Sequence, residues 1–115
     1  MPPVDGYATL MRSHWIHALK QVRAQNQGRE AFDYLCLYSQ DGVFCIGGYN
    51  AYTARLPFVG TWDCFITVNR IALERHAASL PAIGKVILTW ADGFLSVGPT
   101  RFPGQCDDTP LDATE

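Results

Sequence analysis

The chain has 115 residues, 48% apolar and only 17% charged, which is enough to build one ordinary core and too little for two. A formal net charge of −2 argues against a uniformly basic nucleic-acid coat or a polybasic membrane binder, while leaving room for a locally basic surface. The opening Met-Pro-Pro-Val-Asp-Gly lacks the basic stretch and apolar run of a secretory signal, and no segment approaches about 18 uninterrupted apolar residues. A soluble, cytoplasmic protein with no membrane partner is expected.

In chain order, Tyr7 to Leu10 reads as a short strand leading into a helix over Leu10 to Ala24. Trp15, Leu19 and Val22 recur four and three apart, forming one apolar stripe on a helix of 3.6 residues per turn, and Gly28 is expected to end the helix's extension. Next comes a hairpin over residues 35 to 46. Its signal is Asp41-Gly42 between two apolar runs, since both residues tolerate positive φ. A two-residue loop there sets Leu37 opposite Ile46 and Ser39 opposite Phe44, and gathers Leu35, Leu37, Phe44 and Ile46 on one face. Tyr49 to Leu56 reads as a third strand, with Arg55 its single charge.

The second half repeats these steps. Phe65 to Val68 is a strand, Asn69 is the N-cap of a helix reaching Leu80, and Pro81 ends it. Leu73, Ala77 and Leu80 match Trp15, Leu19 and Val22 at an offset of 58. Ser39 to Gly47 aligns with Trp90 to Gly98 at an offset of 51, so Asp92-Gly93 turns a second hairpin with Leu88 opposite Val97 and Trp90 opposite Leu95. Val86, Leu88, Leu95 and Val97 then face inward. A third strand near Thr100 is expected to be cut short by Pro103-Gly104, because proline removes a ladder donor. The pattern defines an α+β fold: two strand-helix-meander repeats, both helices on one face of antiparallel sheet. The expected domain spans 1–104, followed by an acidic, frayed tail over 105–115.

Little in the chain suggests catalysis. Cysteines 36, 45, 64 and 106 form no Cys-x-x-Cys pair and read as reduced thiols, with Cys36 and Cys45, which flank one turn, the pair to test for a disulfide. His14 and His17 have a metal-compatible spacing but no second pair of ligands, so they read as exposed polar residues. His76 lies on the stripe side of its helix and reads as partly buried and hydrogen-bonded. Trp15, Trp62 and Trp90 could stack bases, yet Trp15 and Trp90 occupy core positions, leaving Tyr49, Asn50 and Tyr52 as the more exposed candidates. No glycine-rich phosphate loop, serine elbow or paired helical carboxylate occurs. No catalytic residue, metal or cofactor is therefore expected, and a small enzyme using His76 and a cysteine is the remotest alternative.

Charge is segregated. The two predicted helices hold Arg12, Lys20, Arg23, Arg70 and Arg75 against one acid, Glu74, while the remainder holds four bases and ten acids. Basic helices on an otherwise acidic protein suit a binder that tracks the DNA backbone, and those five bases are the candidate DNA-contacting residues. The ordinary alternative is a solvated helix face.

The run Phe65-Ile66-Thr67-Val68-Asn69-Arg70, a helix ending in Ser79-Leu80-Pro81, an apolar strand, Asp92-Gly93, another strand and Thr100-Arg101-Phe102 resembles the bacterial DNA sliding clamps, the polymerase III beta type. The resemblance covers roughly residues 7 to 103, in order. It implies a DNA-clamp-like domain. Family members close rings of six such domains, helices lining the hole, so DNA passes through without being read. It also implies a homo-oligomer, since one domain per chain needs six copies where family chains carry two or three domains. The function it implies is a sliding-clamp or processivity factor whose partners are itself, duplex DNA without sequence specificity, and replication or repair proteins. The second reading is a clamp-fold interaction module, or regulator of replication proteins, that forms no ring.

Overall fold

A computed structural model describes residues 6–26, 33–48, 52–81 and 83–107. The elements are β1 (Gly6–Met11), α1 (Arg12–Gln25), β2 (Tyr34–Gln40), β3 (Val43–Gly47), β4 (Thr53–Leu56), β5 (Val59–Trp62), β6 (Phe65–Asn69), α2 (Arg70–Ala78), β7 (Lys85–Ala91), β8 (Phe94–Val97) and β9 (Thr100–Asp107).

Both hairpins adopt the expected register, with Leu37 opposite Ile46, Ser39 opposite Phe44, Leu88 opposite Val97 and Trp90 opposite Leu95. Asp41 and Gly42 have φ of 56° and 81°, and Asp92 and Gly93 of 54° and 81°. Left-handed φ at both central residues is the turn whose twist matches that of its flanking strands. The eight side chains assigned inward are all buried. A one-residue slip would turn all eight to the opposite face, away from the helices.

The strands form a nine-stranded sheet in the order β4-β3-β2-β6-β9-β8-β7-β1-β5, every pair antiparallel. The strand leading into each helix pairs with the other half's hairpin, β1 with β7 and β6 with β2. The helix starts are exchanged in the same way. The first amide of α1, Arg12, donates to Gly84 O at 2.9 Å, and that of α2, Arg70, to Asp33 O at 2.9 Å, each acceptor lying just before a hairpin of the opposite half. Both helix stripes bury Trp15, Leu19, Val22, Leu73 and Ala77 in one continuous core, with Leu80 packed at its margin. Asn69 caps α2 as expected, its Oδ1 accepting from Ala72 N at 2.9 Å. The first helix closes at Asn26, before Gly28, which lies outside the described residues.

The last strand departs from expectation. Proline 103 does not cut it short; β9 runs from Thr100 to Asp107, pairing with β8 through Pro103 and with β6 from Gly104 onward. The Gly104 N–H donates to Gly93 O at 3.1 Å. Alternation along a strand therefore turns the Pro103 nitrogen to the opposite edge, where no ladder bond is lost. A Cβ on Gly104 would meet a Val68 methyl at 2.8 Å and the Thr67 carbonyl at 2.9 Å, so the crossing depends on glycine's missing side chain. Gln105, Cys106 and Asp107 thus belong to the sheet rather than to the expected tail, whose remainder lies outside the described residues.

An unforeseen strand, β5, makes the matching crossing. β4 pairs with β3, and two residues later, beyond Pro57-Phe58, β5 pairs with β1. Leu56 stands opposite Phe44 of β3 as Phe102 stands opposite Leu95 of β8, and a proline follows each. Of the expected third strand, Thr53–Leu56 is strand, and Tyr49 to Ala51 lie outside the described residues. No helix among the described residues is long and apolar enough to cross a membrane.

Candidate functional site

The helices pack side by side, and their solvent faces collect the bases picked out from charge. Lys20, Arg23 and Arg75 are exposed. His14 and His17 are exposed on α1 as well, and no group of three His, Cys, Asp or Glu side chains able to hold a metal occurs among the described residues.

Arg12 and Arg70 behave differently, and both occupy the first position of a helix, where the macrodipole disfavours a cation. Arg70 Nη1 donates to both carboxylate oxygens of Glu74 at 3.0 and 3.1 Å, the two side chains being only 18% and 16% exposed. Arg23 reaches the same carboxylate at 4.0 Å. Arg12 is half-buried and spends Nη1 on the Ile83 carbonyl at 3.1 Å. The five candidates therefore separate into three solvent-facing cations and two turned toward internal partners. The Arg70–Glu74 pair carries a local signal, opposite charges four apart on a helix; the Arg12–Ile83 contact, 71 residues apart, carries none.

Glu74, the one acid on the helices, is neutralised in place. Among the described residues of the two helices the cations face no uncompensated carboxylate, an arrangement that favours anions without selecting among them.

Away from the helices, the tryptophans 15, 62 and 90 are all buried and unable to stack on a base. Tyr52 is exposed, but its N–H is held by Asn26 Oδ1 at 3.3 Å. Tyr49 and Asn50 lie outside the described residues. His76 is partly buried as expected but not hydrogen-bonded at Nδ1, which has no partner among the described residues; its ring stands edge-on to Phe102 at 5.5 Å. Cys36 and Cys45 are buried and no disulfide joins them. Burial pushes the Cys45 thiol and the neighbouring Tyr38 phenol up, with Arg55 opposing in both cases, so Cys45 is not activated as a nucleophile.

Two helices side by side over an antiparallel sheet, with each half's leading strand exchanged into the other, make this a DNA-clamp-like α+β domain. Solved sliding clamps share the fold. The chain is similar to the DnaN sliding clamp (DNA polymerase III subunit beta) of Pseudomonas aeruginosa, at 15% identity and TM-score 0.68, over 89% of this chain and 31% of that one. It is similar to the DnaN clamp of Bartonella birtlesii, at 18% identity and TM-score 0.69, over 88% of this chain and 29% of that one. No protein-family model matches the chain, and no curated protein matches it in sequence.

Proposed function

We propose that this chain is a non-enzymatic clamp-like domain that self-associates through its sheet edges and lays α1 and α2 against the phosphates of duplex DNA without reading sequence, as a sliding-clamp or processivity-type factor. The observation that carries this reading is the helix face itself, where Lys20, Arg23 and Arg75 are exposed and the single acid is bound to Arg70. Arg12 and Arg70 contribute less than the other three because short hydrogen bonds hold their guanidinium groups, whereas Arg23 touches Glu74 only at 4.0 Å and stays 70% exposed. Three phosphate contacts give a log–log salt slope of about −2.7, too shallow for tight binding by one domain. Assembly multiplies those contacts along one duplex. The sheet offers a route to it: β4 pairs only with β3 and β5 only with β1 among the described residues, and β5 carries no charge to block an added strand. The chain spans 31% and 29% of the clamps it matches, so a comparable ring needs several copies or further domains.

The test is a salt titration on linear duplex and closed circular DNA, with light scattering on the same samples. Reversing Lys20, Arg23 and Arg75 to Glu should abolish binding for every sequence, and Glu74→Ala should strengthen it by freeing Arg70 and Arg23. No wild-type binding at about 50 mM salt, where counterion release favours it most, would refute DNA contact and leave the protein-interaction module, with replication or repair proteins as partners.

A further inference from the structure

The outer face of the half-sheet β5-β1-β7-β8-β9 is the side turned away from the core. Strand alternation places Tyr7, Thr9 and Met11 of β1 there, with Val59 and Thr61 of β5, Lys85, Ile87 and Thr89 of β7, Phe94 and Ser96 of β8, and Arg101 of β9. Val59, Thr9 and Ile87 lie in one row across three strands, and Tyr7 and Met11 flank Thr9 along β1. Val59 is 73% exposed, Ile87 45%, and Tyr7 and Met11 44% each, half of the eight exposed large hydrophobics among the described residues. A contiguous apolar patch of this kind on a folded domain marks a contact surface.

Its charges all have one sign. Lys85 stands opposite Met11 at one end of the patch, and the Arg101 guanidinium lies over the Phe94 ring, 4.2 Å from its centroid, at the other. Neither is in an ion pair among the described residues, and none of the residues placed on this face is acidic. A second copy applied through the same face would set these cations against each other. We infer that this sheet face docks an extended peptide of a partner protein that carries apolar side chains between carboxylates, its apolar residues seated among Tyr7, Val59 and Ile87 and its acids on Lys85 and Arg101. The patch is built of strands and lies apart from the helix face, so the inference stands whether or not DNA is bound.

The probe is a fluorescent decapeptide of alternating leucine and aspartate, with a leucine–lysine decapeptide as its charge-reversed control. Polarisation should show binding of the acidic peptide that weakens with salt, and at least about tenfold weaker binding of the basic one. Ile87→Glu should remove binding. A Lys85→Glu, Arg101→Glu variant, which leaves the apolar row intact, should reverse the preference between the peptides. Circular dichroism melts establish that each variant is folded; if Ile87→Glu unfolds, the charge-reversed variant decides. No binding of the acidic peptide at about 1 mM, equal affinity for both peptides, or a wild-type dimer that Ile87→Glu dissolves would each overturn the proposal.

Discussion

Asn26 is the only polar residue among the described core positions, 2% exposed at the end of α1, and it ties the helix to the start of the β4 segment. Its Nδ2 donates to Val22 O at 2.8 Å and its Oδ1 accepts from Tyr52 N at 3.3 Å. In Asn26→Ala the Val22 carbonyl keeps a partner, because the backbone amide of residue 26 also donates to it at 3.1 Å. The Tyr52 amide loses the acceptor it has in the described structure. Two hydrogen bonds at about 1 kcal/mol each, plus about 1 kcal/mol for stranding that amide, give an expected loss of about 2–3 kcal/mol. At about 4 °C per kcal/mol for a domain of this size, Tm should fall by about 8–12 °C. Urea unfolding followed by fluorescence of the buried tryptophans reads the loss as a lower midpoint at unchanged slope, since the surface exposed on unfolding hardly changes. A loss below about 0.5 kcal/mol would show that the side chain is not holding the two elements together.

Two further outcomes follow from the geometry. Gly60 has φ of +141°, and a Cβ there would run into the Tyr7 carbonyl of the paired strand, whereas the turn glycine Gly42, at φ +81°, has open space around it. Gly60→Ala should therefore cost about 3 kcal/mol or more, and Gly42→Asn less than about 1 kcal/mol, in the same urea assay; similar costs would show that β1 and β5 do not approach so closely. The second outcome is alkaline destabilisation. Burial raises the Cys45 thiol above its ordinary 9.0 and the Tyr38 phenol above 10.0. Below those ordinary values folded and unfolded chains both keep the protons; above them the unfolded chain releases protons first, so stability falls as pH rises toward the folded values. Stability measured at about pH 8 and about pH 10.5 should drop in the wild type and drop less in a Cys45→Ala, Tyr38→Phe variant, and equal slopes would refute the assignment.

What could be read in advance was what short-range rules govern. Asp-Gly turns set both registers, and the period-two pattern then identified eight buried side chains without knowledge of what covered them. The stripes at Trp15, Leu19 and Val22 and at Leu73 and Ala77 were equally visible, because burial of one helix face imposes its own period. What escaped depends on long-range placement. Arg12 and Asn26 find partners at Ile83 and Tyr52, which no local pattern brings near. The course of β9 through Pro103 is not legible locally, because the ladder rule concerns a nitrogen aimed at a neighbour and only the pairing of Gly104 reveals which way that nitrogen points. On the candidate interface, composition identified the basic helices, whereas the division of their cations between solvent and internal partners required the fold.

The two crossing strands determine how the domain bears load. The backbone passes between the half-sheets at several points, and two of these passages, Pro103-Gly104 within β9 and Pro57-Phe58 between β4 and β5, are short extended links rather than helices. A pull applied along β4 or β5 passes into the opposite half-sheet through covalent bonds, and the helices above are not asked to transmit it. Shearing the halves apart would strip several ladder hydrogen bonds together, whereas peeling a single edge strand breaks them one at a time. If neighbouring copies tug on the edges, the helix face is carried on a frame that yields last.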